Sequence, residues 1–375
     1  SPSSCRPPFI RRFSILVYGM ANQNNFQIRN YERLALFNWG PQDDEVIKYA
    51  RALAADAVQK VGNGHPGTAM SLAPVAYLLF QKHLVHDPKD PKWIGRDRFV
   101  LSCGHSSLTL YTQLFLSGYG LEMSDLQSFR TWNSATPGHP EYGHTAGVEM
   151  TTGPLGAGIS TAVGMAMATR FKKGLLDPNS RLFDHRVYVL CSDGDLQEGV
   201  SAEASSLAGT QELGNLIVIY DDNRISIEGD THVAFTENVS ARYAAYGWHV
   251  EEVAAAKDGS VDIQALDAAI ERAKIETSKP SLIRLHTVIA LGLNPEEKFA
   301  MPAELLAHAR KVAERGAKAH ADWNLDLAKW RSSNPEKSAL LDRLQSGKLP
   351  EMKLPEFPAD KELATRAASG KVINA

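Results

Sequence analysis

Short apolar runs alternate along the chain with longer segments whose apolar residues recur at helical spacing. Several of the short runs are continuously apolar, which is typical of strands covered on both faces. The predicted strands are Arg98–Ser102, Arg186–Ser192, Leu216–Asp221, His249–Val253 and Leu282–Val288. The predicted helices are Glu45–Lys60, Ser71–Leu84, Ser106–Leu116, Leu155–Phe171, Val200–Gln211, Asn238–Tyr246 and Ile263–Ile275. This alternation predicts an α/β fold with a doubly wound, mainly parallel sheet and helices on both faces, whose ligands bind beyond the carboxyl ends of the strands.

The character of the sequence changes after Leu291. Residues 303–344 are rich in Ala, Lys, Glu and Leu and predict solvent-exposed helices, whereas residues 345–358 carry three prolines, as linkers do. We therefore expect a leader or extension over residues 1–40, a binding domain over 41–300, and a helical segment with an extended linker over 301–375. We expect that linker to lead towards a further domain.

The N-terminal region differs from the rest in charge. Residues 1–31 contain four arginines and no carboxylate, and Glu32 is the first acidic residue. Two interpretations stay open: an organellar transit peptide, or an extension upstream of a natural start at Met20. Either way, the segment is excluded from the prediction of the fold.

Composition removes several classes of function. The 375 residues are 43% hydrophobic and carry a net charge of −3, so no basic field for nucleic acid is expected. No apolar stretch approaches the roughly 18 residues that span a bilayer. Three widely spaced cysteines, Cys5, Cys103 and Cys191, argue against a disulfide framework or a paired-cysteine zinc site. We expect a cytoplasmic protein, with an organellar one left open by the N-terminus, in which Cys103 and Cys191 are small core residues.

Oxygen-bearing side chains follow two consecutive predicted strands. Asp193 and Gly194 come directly after the strand that ends at Ser192. Asn223 and Ile225 follow the next strand, and Asn223 lies 30 positions after Asp193. A carboxylate, an amide oxygen and a backbone carbonyl would suit a hard divalent cation that also binds phosphate oxygens. Taken alone, each turn could equally be an ordinary strand-to-helix turn with a capping Asp.

The segment Asp193–Glu228 resembles the thiamine diphosphate motif, and the surrounding segments resemble the transketolase family. The matching motifs are Gly64–Gly67 (GHPG), Cys103–Ser107 (CGHSS), Thr136–Glu141 (TPGHPE), Thr151–Gly156 (TTGPLG), Glu198–Ala204 (EGVSAEA) and Asp222–Ile227 (DNRISI). The resemblance covers roughly residues 40–290 and resumes in the linker. It implies the thiamine-diphosphate-binding fold, with thiamine diphosphate and Mg²⁺ or Ca²⁺ as cofactors.

The resemblance also implies roles for particular residues. In transketolase-like proteins the metal would be held by Asp193, Asn223 and the carbonyl of Ile225. The backbone that approaches the cofactor would belong to Gly153, Leu155 and Gly194. The residues facing the thiazolium and the sugar would be His65, His105 and His139. Glutamates near the subunit interface, linking two active sites, would be Glu198 and Glu203.

The reaction implied by the resemblance is the reversible transfer of a two-carbon ketol unit from a ketose phosphate to an aldose phosphate, in the pentose phosphate pathway. Its alternatives are another thiamine-dependent enzyme, such as dihydroxyacetone synthase, or a catalytically silent interaction module. The partners implied are sugar phosphates and a second copy, or a chain with the pyrimidine-binding domain, that completes the active site. This chain alone would then carry half of that site.

Two local departures from the family pattern are visible. The diphosphate motif usually opens with Gly-Asp-Gly, whereas this chain has Ser192 before Asp193 and Gly194. A longer loop with a further histidine is expected in the family after the last predicted strand, where this sequence passes directly from Leu291 and Gly292 into Asn294 and Pro295.

Overall fold

A five-stranded parallel sheet forms the centre of the computed structural model, which describes residues 38–226, 229–256, 259–287, 298–348 and Phe357. The strand order is β1-β2-β3-β7-β6, with β4 and β5 forming a small antiparallel pair. The strands are β1 Arg98–Leu101, β2 Val187–Ser192, β3 Leu216–Asp222, β4 Ile225–Ser226, β5 Gly229–Asp230, β6 His249–Val253 and β7 Ser281–His286. All five predicted strands are present, and the predicted α/β fold class is confirmed.

Helices precede, separate and follow the strands. They are α1 Pro41–Val61, α2 Pro66–Ser71, α3 Ala73–Leu78, α4 Ser107–Ser117, α5 Met123–Gln127, α6 Ala157–Leu176, α7 Asp193–Gln197, α8 Gly199–Thr210, α9 Val239–Ala245, α10 Ile263–Ile275, α11 Ala303–Arg310, α12 Val312–Ser333 and α13 Pro335–Ser346. Among the described residues, no helix combines the length and the apolarity that crossing a bilayer requires.

Alternate residues of the strands belong to two separate apolar clusters, one on each face of the sheet. Tyr188 and Leu190 of β2 join the cluster that contains side chains of α1, α3, α4, α10 and α11. Val187, Val189 and Cys191 of the same strand join the cluster that contains side chains of α6, α8 and α9. Cys103 and Cys191 are fully buried, one in each cluster, as expected of core residues. The sheet is thus covered on both faces, which explains its continuously apolar strands.

The prediction of one continuous helix over Ser71–Leu84 is wrong. The structure has α2 and α3 interrupted at Leu72, followed by a π-helical turn at Leu79–His83. Pro74 sits in the first turn of α3 and has no N–H to donate to the preceding helix. The Met70 carbonyl accepts instead from Arg51 Nε of α1, at 3.1 Å.

The composition of residues 303–344 predicted solvent-exposed helices, and this prediction is wrong for α11 and α12, each of which buries one face. Ala309, Val312 and Trp323 are buried, and Trp323 donates through its indole N–H to the Leu182 carbonyl at 2.9 Å. The chain divides into two compact units, residues 1–326 and 327–375. Within the second unit, Arg331 pairs with Asp342 at 2.7 Å.

Several predictions concern residues that the structure does not describe. Residues 1–37 of the predicted leader (1–40) lie outside the described residues. So do the departure at the loop after Leu291, within 288–297, and most of the proline-bearing linker, beyond 348. The domain boundaries placed at 40 and 300 stay predictions.

Gly209 of α8 allows one of the closest backbone approaches in the fold. A Cβ at this position would lie 1.8 Å from the Tyr246 carbonyl oxygen, whereas a Cβ at Gly164 of α6 would meet open space. We expect Gly209→Ala to lower the free energy of unfolding by about 2 kcal/mol through overpacking. Gly164→Ala, the matched control, should raise it by about 0.5–1 kcal/mol through helix propensity. Urea denaturation measures both, and equal stability of the two variants would contradict this packing.

Candidate active site and cofactor site

The ends of β2 and β3 lie side by side at one edge of the sheet. The two strands pair in parallel, with Ser192 opposite Asp221. Asp193 begins α7 directly after β2, and α7 contacts β4, which begins at Ile225. The structure therefore brings together the two turns on which the predicted cation site depends.

Asp193 presents an unpaired carboxylate oxygen at this edge. The side chain is only 1% exposed, and its Oδ1 accepts from the Tyr220 hydroxyl at 2.5 Å. Its Oδ2 is buried and has no hydrogen-bond partner among the described residues. Burial raises the pKa of Asp193 to about 6, although the Tyr220 bond opposes the shift. A buried carboxylate oxygen is unfavourable without a partner, and a bound cation would supply one.

Asn223 is held in one orientation by the buried Asp221. Its Nδ2 donates to Asp221 Oδ2 at 2.8 Å, and its Oδ1 accepts from the Ile225 N–H at 2.8 Å. Asp221 also accepts from the Thr287 hydroxyl, and burial raises its pKa to about 7. The amide oxygen of Asn223 keeps a second lone pair. With Asp193 and the Ile225 carbonyl it offers the kind of hard oxygens that Mg²⁺ and Ca²⁺ prefer, and their binding of a cation stays a prediction.

A cavity of about 450 Å³ opens beside Asp193. Basic and acidic groups both line it, and Arg284 pairs with Asp222 at 2.7 Å. Its lining includes Asp193, Tyr220, Asp222, Arg224, His232 and Arg284. A cavity with acids for a cation and guanidinium groups for an anion suits a metal-bound phosphate.

Glycines bring three loops into close contact at this edge. A Cβ at Gly194 would lie 2.8 Å from Leu155 Cδ1, and a Cβ at Gly104 would lie 2.7 Å from the Gly153 backbone nitrogen. Gly153 has a φ of +149°, in the region that favours glycine. The predicted cofactor-binding residues Gly153, Leu155 and Gly194 are thus adjacent, in a cradle that larger residues would fill. Their role in binding stays a prediction.

Asp195 organises the same edge, although its sequence position alone predicted no role for it. Its Oδ1 accepts from Ser102 Oγ at 2.7 Å and from the Gly156 N–H at 2.9 Å. Its Oδ2 accepts from the Ser192 N–H at 3.0 Å. Burial raises the pKa of Asp195, whereas these bonds lower it. Ser192 and Asp195 form a capping box, and their spacing in the sequence could have indicated this role for Asp195.

The three predicted histidines form one cluster. The rings of His65 and His105 lie 5.4 Å apart at 74°, and His139 lies against Gly153. Burial lowers the pKa of His105 to about 4, and the neighbouring His65 and His139 add to the shift. Burial and the charge of Arg130 lower the pKa of His65 and His139. The cluster therefore presents neutral imidazoles at pH 7, each able to donate and accept one hydrogen bond.

Glu198 and Glu203 lie apart from this cluster. Both are exposed, Glu198 immediately before α8 and Glu203 within it. A Cβ at Gly156 would lie 2.9 Å from Glu198 Cβ, so this glutamate borders the loop before α6. The role of the two glutamates at a subunit interface stays a prediction.

Comparisons with known proteins agree with this geometry. The family model described as "Transketolase, thiamine diphosphate binding domain" matches residues 42–292 and 289–350. The chain is 51% identical to the transketolase of Mycobacterium leprae, covering 90% of this chain and 53% of the relative. It is 46% identical to the transketolase of Geobacillus stearothermophilus, covering 89% and 54% respectively. The chain spans about half the length of the curated relatives that it matches.

Solved structures show the same relationship. A transketolase from Pichia stipitis in complex with sedoheptulose 7-phosphate is 45% identical, with a TM-score of 0.84 over 89% of this chain and 54% of that one. The transketolase of Leishmania mexicana is 37% identical, with a TM-score of 0.80 over 86% and 52%. With the match to the family model, these likenesses show that the chain belongs to the transketolase family and comprises its thiamine diphosphate binding domain.

Proposed function

We propose that this chain binds the diphosphate of thiamine diphosphate through a divalent cation held by Asp193, Asn223 and the carbonyl of Ile225. We propose further that it serves the transfer of a two-carbon ketol unit from a ketose phosphate to an aldose phosphate. The observation that carries the proposal is the buried, unpartnered Oδ2 of Asp193, which lines a cavity that guanidinium groups also line. Such an oxygen is stabilised by a cation, and the cation in turn attracts phosphate.

Bound thiamine diphosphate supplies an electron sink for cleavage of a C–C bond beside a carbonyl, which side chains cannot provide. The remaining chemistry is the transfer of protons to and from sugar hydroxyl and carbonyl oxygens. Neutral His65, His105 and His139 suit it, because each ring can accept a proton at one nitrogen and donate at the other. A sugar phosphate as substrate is supported by the related Pichia stipitis structure with sedoheptulose 7-phosphate.

A second copy of the chain is proposed as the partner. The outer faces of α6 and α8, which contact each other, carry large exposed apolar side chains: Met167, Phe171, Val200 and Leu207. The exposed Glu198 and Glu203 border the same face. Exposed apolar side chains grouped on neighbouring helices are typical of a surface that another protein covers.

Asp193→Asn should abolish cation-dependent binding of the cofactor. The substitution keeps the shape of the side chain but removes the charge that holds the cation. In the unsubstituted chain, a hundredfold excess of thiamine diphosphate over its dissociation constant, with Mg²⁺, should stabilise the fold by about 2.7 kcal/mol. A thermal shift assay measures the effect, which should disappear in the variant. Asp230→Asn is the matched control, because Asp230 lines the same cavity but is exposed. An unchanged Mg²⁺-dependent shift in Asp193→Asn would refute the metal assignment.

Neutral His105 should make the fold sensitive to acid. In the unfolded chain the imidazole takes up a proton below about pH 6.5, whereas in the fold its pKa is about 4. The unfolded state therefore binds more protons between these values, and stability falls as the pH drops from 6.5 to 4, by up to about 3 kcal/mol from this group. His105→Gln should flatten that part of the profile of unfolding free energy against pH. Identical slopes in the two proteins would show that His105 is not held neutral.

A charge on the apolar face of α6 and α8 should weaken self-association. Phe171→Glu and Leu207→Glu each place a carboxylate where an apolar contact would form, and we expect a dissociation constant at least roughly tenfold higher. Sedimentation equilibrium measures it. Val233→Glu is the control, since Val233 is 84% exposed in the 3₁₀ turn after β5. Equal dissociation constants for all three variants would mean that the partner binds elsewhere.

A further inference from the structure

Arg130 lies between the loops that carry His65 and His139, and neither its position nor its charge is explained by cofactor binding. It follows the buried Phe129 in the segment after α5. Its charge acts on both imidazoles. The contacts of the pair Phe129 and Arg130 reach both loops.

The first set of contacts reaches the loop of His65. Arg130 Nη1 donates to Asn63 Oδ1 at 3.0 Å, two residues before the histidine. Phe129 packs under the intervening Gly64, where a Cβ would lie 3.5 Å from the aromatic ring. The guanidinium of Arg130 also lies 5.5 Å from the centre of the Phe129 ring, a cation–π distance.

The second set reaches the loop of His139. The Arg130 N–H donates to the Thr136 carbonyl at 3.0 Å. Gly138 lies against the guanidinium stem, and a Cβ there would come within 2.9 Å of Arg130 Nε. Tyr111, which meets the Phe129 ring edge to face, donates to the His139 carbonyl at 3.1 Å. The loop therefore packs on Arg130 at Gly138, where a larger residue would displace the Arg130 side chain.

Arg130 occupies this place under strain. Its φ of +59° is in the left-handed region that side-chain-bearing residues seldom adopt. Its Nε is buried and has no hydrogen-bond partner in the part of the chain that the structure describes. Strained backbone and an unsatisfied donor persist where the surroundings hold them, and they cluster at functional sites.

We propose that Arg130 is a positioning residue that ties the His65 loop to the His139 loop and fixes the two imidazoles relative to each other. The inference rests on the proposed function for its catalytic meaning, because these imidazoles are the groups proposed to move protons. Arg130 itself acts through the loops and touches no reacting atom in the proposal. The charge and the bond to Asn63 belong to the side chain, whereas the bond to Thr136 belongs to the backbone and persists in every variant. Arg130→Lys and Asn63→Ala therefore weaken the side-chain tether and keep the charge.

The charge of Arg130 gives the proposal a spectroscopic signature. Burial is the main cause that lowers the pKa of His65 and His139, and Arg130 comes next for both. The charge of His65 also lowers the pKa of His139. The charges of His65 and His139 lower the pKa of His105, on which Arg130 has no direct effect. Glu141 is the carboxylate nearest to His139 in sequence, and its charge raises the pKa of Tyr111. Removing the charge should therefore raise the pKa of His65 and His139, whereas His105, on which Arg130 does not act directly, should change less.

The test combines NMR titration of the histidine ring protons with amide hydrogen exchange, on the chain without cofactor. Arg130→Met removes charge and hydrogen bond, Arg130→Lys keeps the charge but loses the planar guanidinium, and Asn63→Ala removes only the acceptor. Arg130→Met should raise the pKa of His65 and His139 by roughly half a unit, the size expected for one charge at a partly solvated site. All three variants should speed amide exchange in both loops, residues 62–67 and 136–140.

Arg51→Met is the matched control, because Arg51 bonds to the Met70 carbonyl and does not act on these histidines. Unchanged histidine pKa values in a folded Arg130→Met variant, faster exchange in only one loop, or the same changes in Arg51→Met would each overturn the proposal. If Arg130→Met does not fold, exchange in Arg130→Lys and Asn63→Ala decides the question. None of these readouts needs thiamine diphosphate, so a failure of the proposed function, seen as absent cofactor binding, stays distinguishable.

Discussion

The buried carboxylate of Asp195 is the interaction on which the arrangement of the site depends. It accepts hydrogen bonds from Ser102 after β1, from Ser192 at the end of β2, and from the Gly156 N–H before α6. Two strand ends and the start of a helix are thereby fixed to one side chain. Ser102 in turn accepts from the Ile159 N–H at 3.0 Å, which locks the first turn of α6. The loops that carry His105 and Gly153 leave from these fixed points, so their close approach follows from the network.

The acids at this edge of the sheet fall into two kinds. Asp195 and Asp221 are buried but accept several hydrogen bonds each, so their energy of desolvation is offset within the chain. Asp193 is equally buried, yet its Oδ2 makes no hydrogen bond to a described residue, although the backbone N–H of Arg224 is near enough to lower its pKa. Placing an unsatisfied acid beside two satisfied ones destabilises the fold unless something binds there. Of these three acids, Asp193 is the one that lines the cavity, which is where the proposed cation would offset its desolvation.

The sequence predicted most of this framework because the sheet is covered on both faces. Buried parallel strands such as Val187–Ser192 are continuously apolar, and the polar residues directly after them stand out. The contacts of Asp195 and Arg130 were not foreseen, since they join residues distant in sequence, such as Ser102 and Asp195 or Asn63 and Arg130. The break at Leu72 was not predicted for a local reason. The apolar spacing continues through Pro74, but the hydrogen bonding of the helix does not, because proline has no N–H to donate. The spacing of apolar residues indicates which face of a helix is buried, but it does not indicate where the helix is interrupted.

The two halves of the site place opposite demands on charge, and the fold separates them. Around Asp193 the chain gathers acids, with Asp222 paired to Arg284, as the proposed cation would require. Around His105, which is half-buried, it gathers the exposed His65 and His139, and Arg130 adds positive charge next to these two, so that protonation is disfavoured. A carboxylate close to the histidines would raise their pKa and fill their acceptor nitrogens with protons. The acids lie at the tips of β2 and β3 and the arginine lies beside the histidine loops, so the proposed metal site and the proposed proton acceptors do not impose their charge requirements on each other.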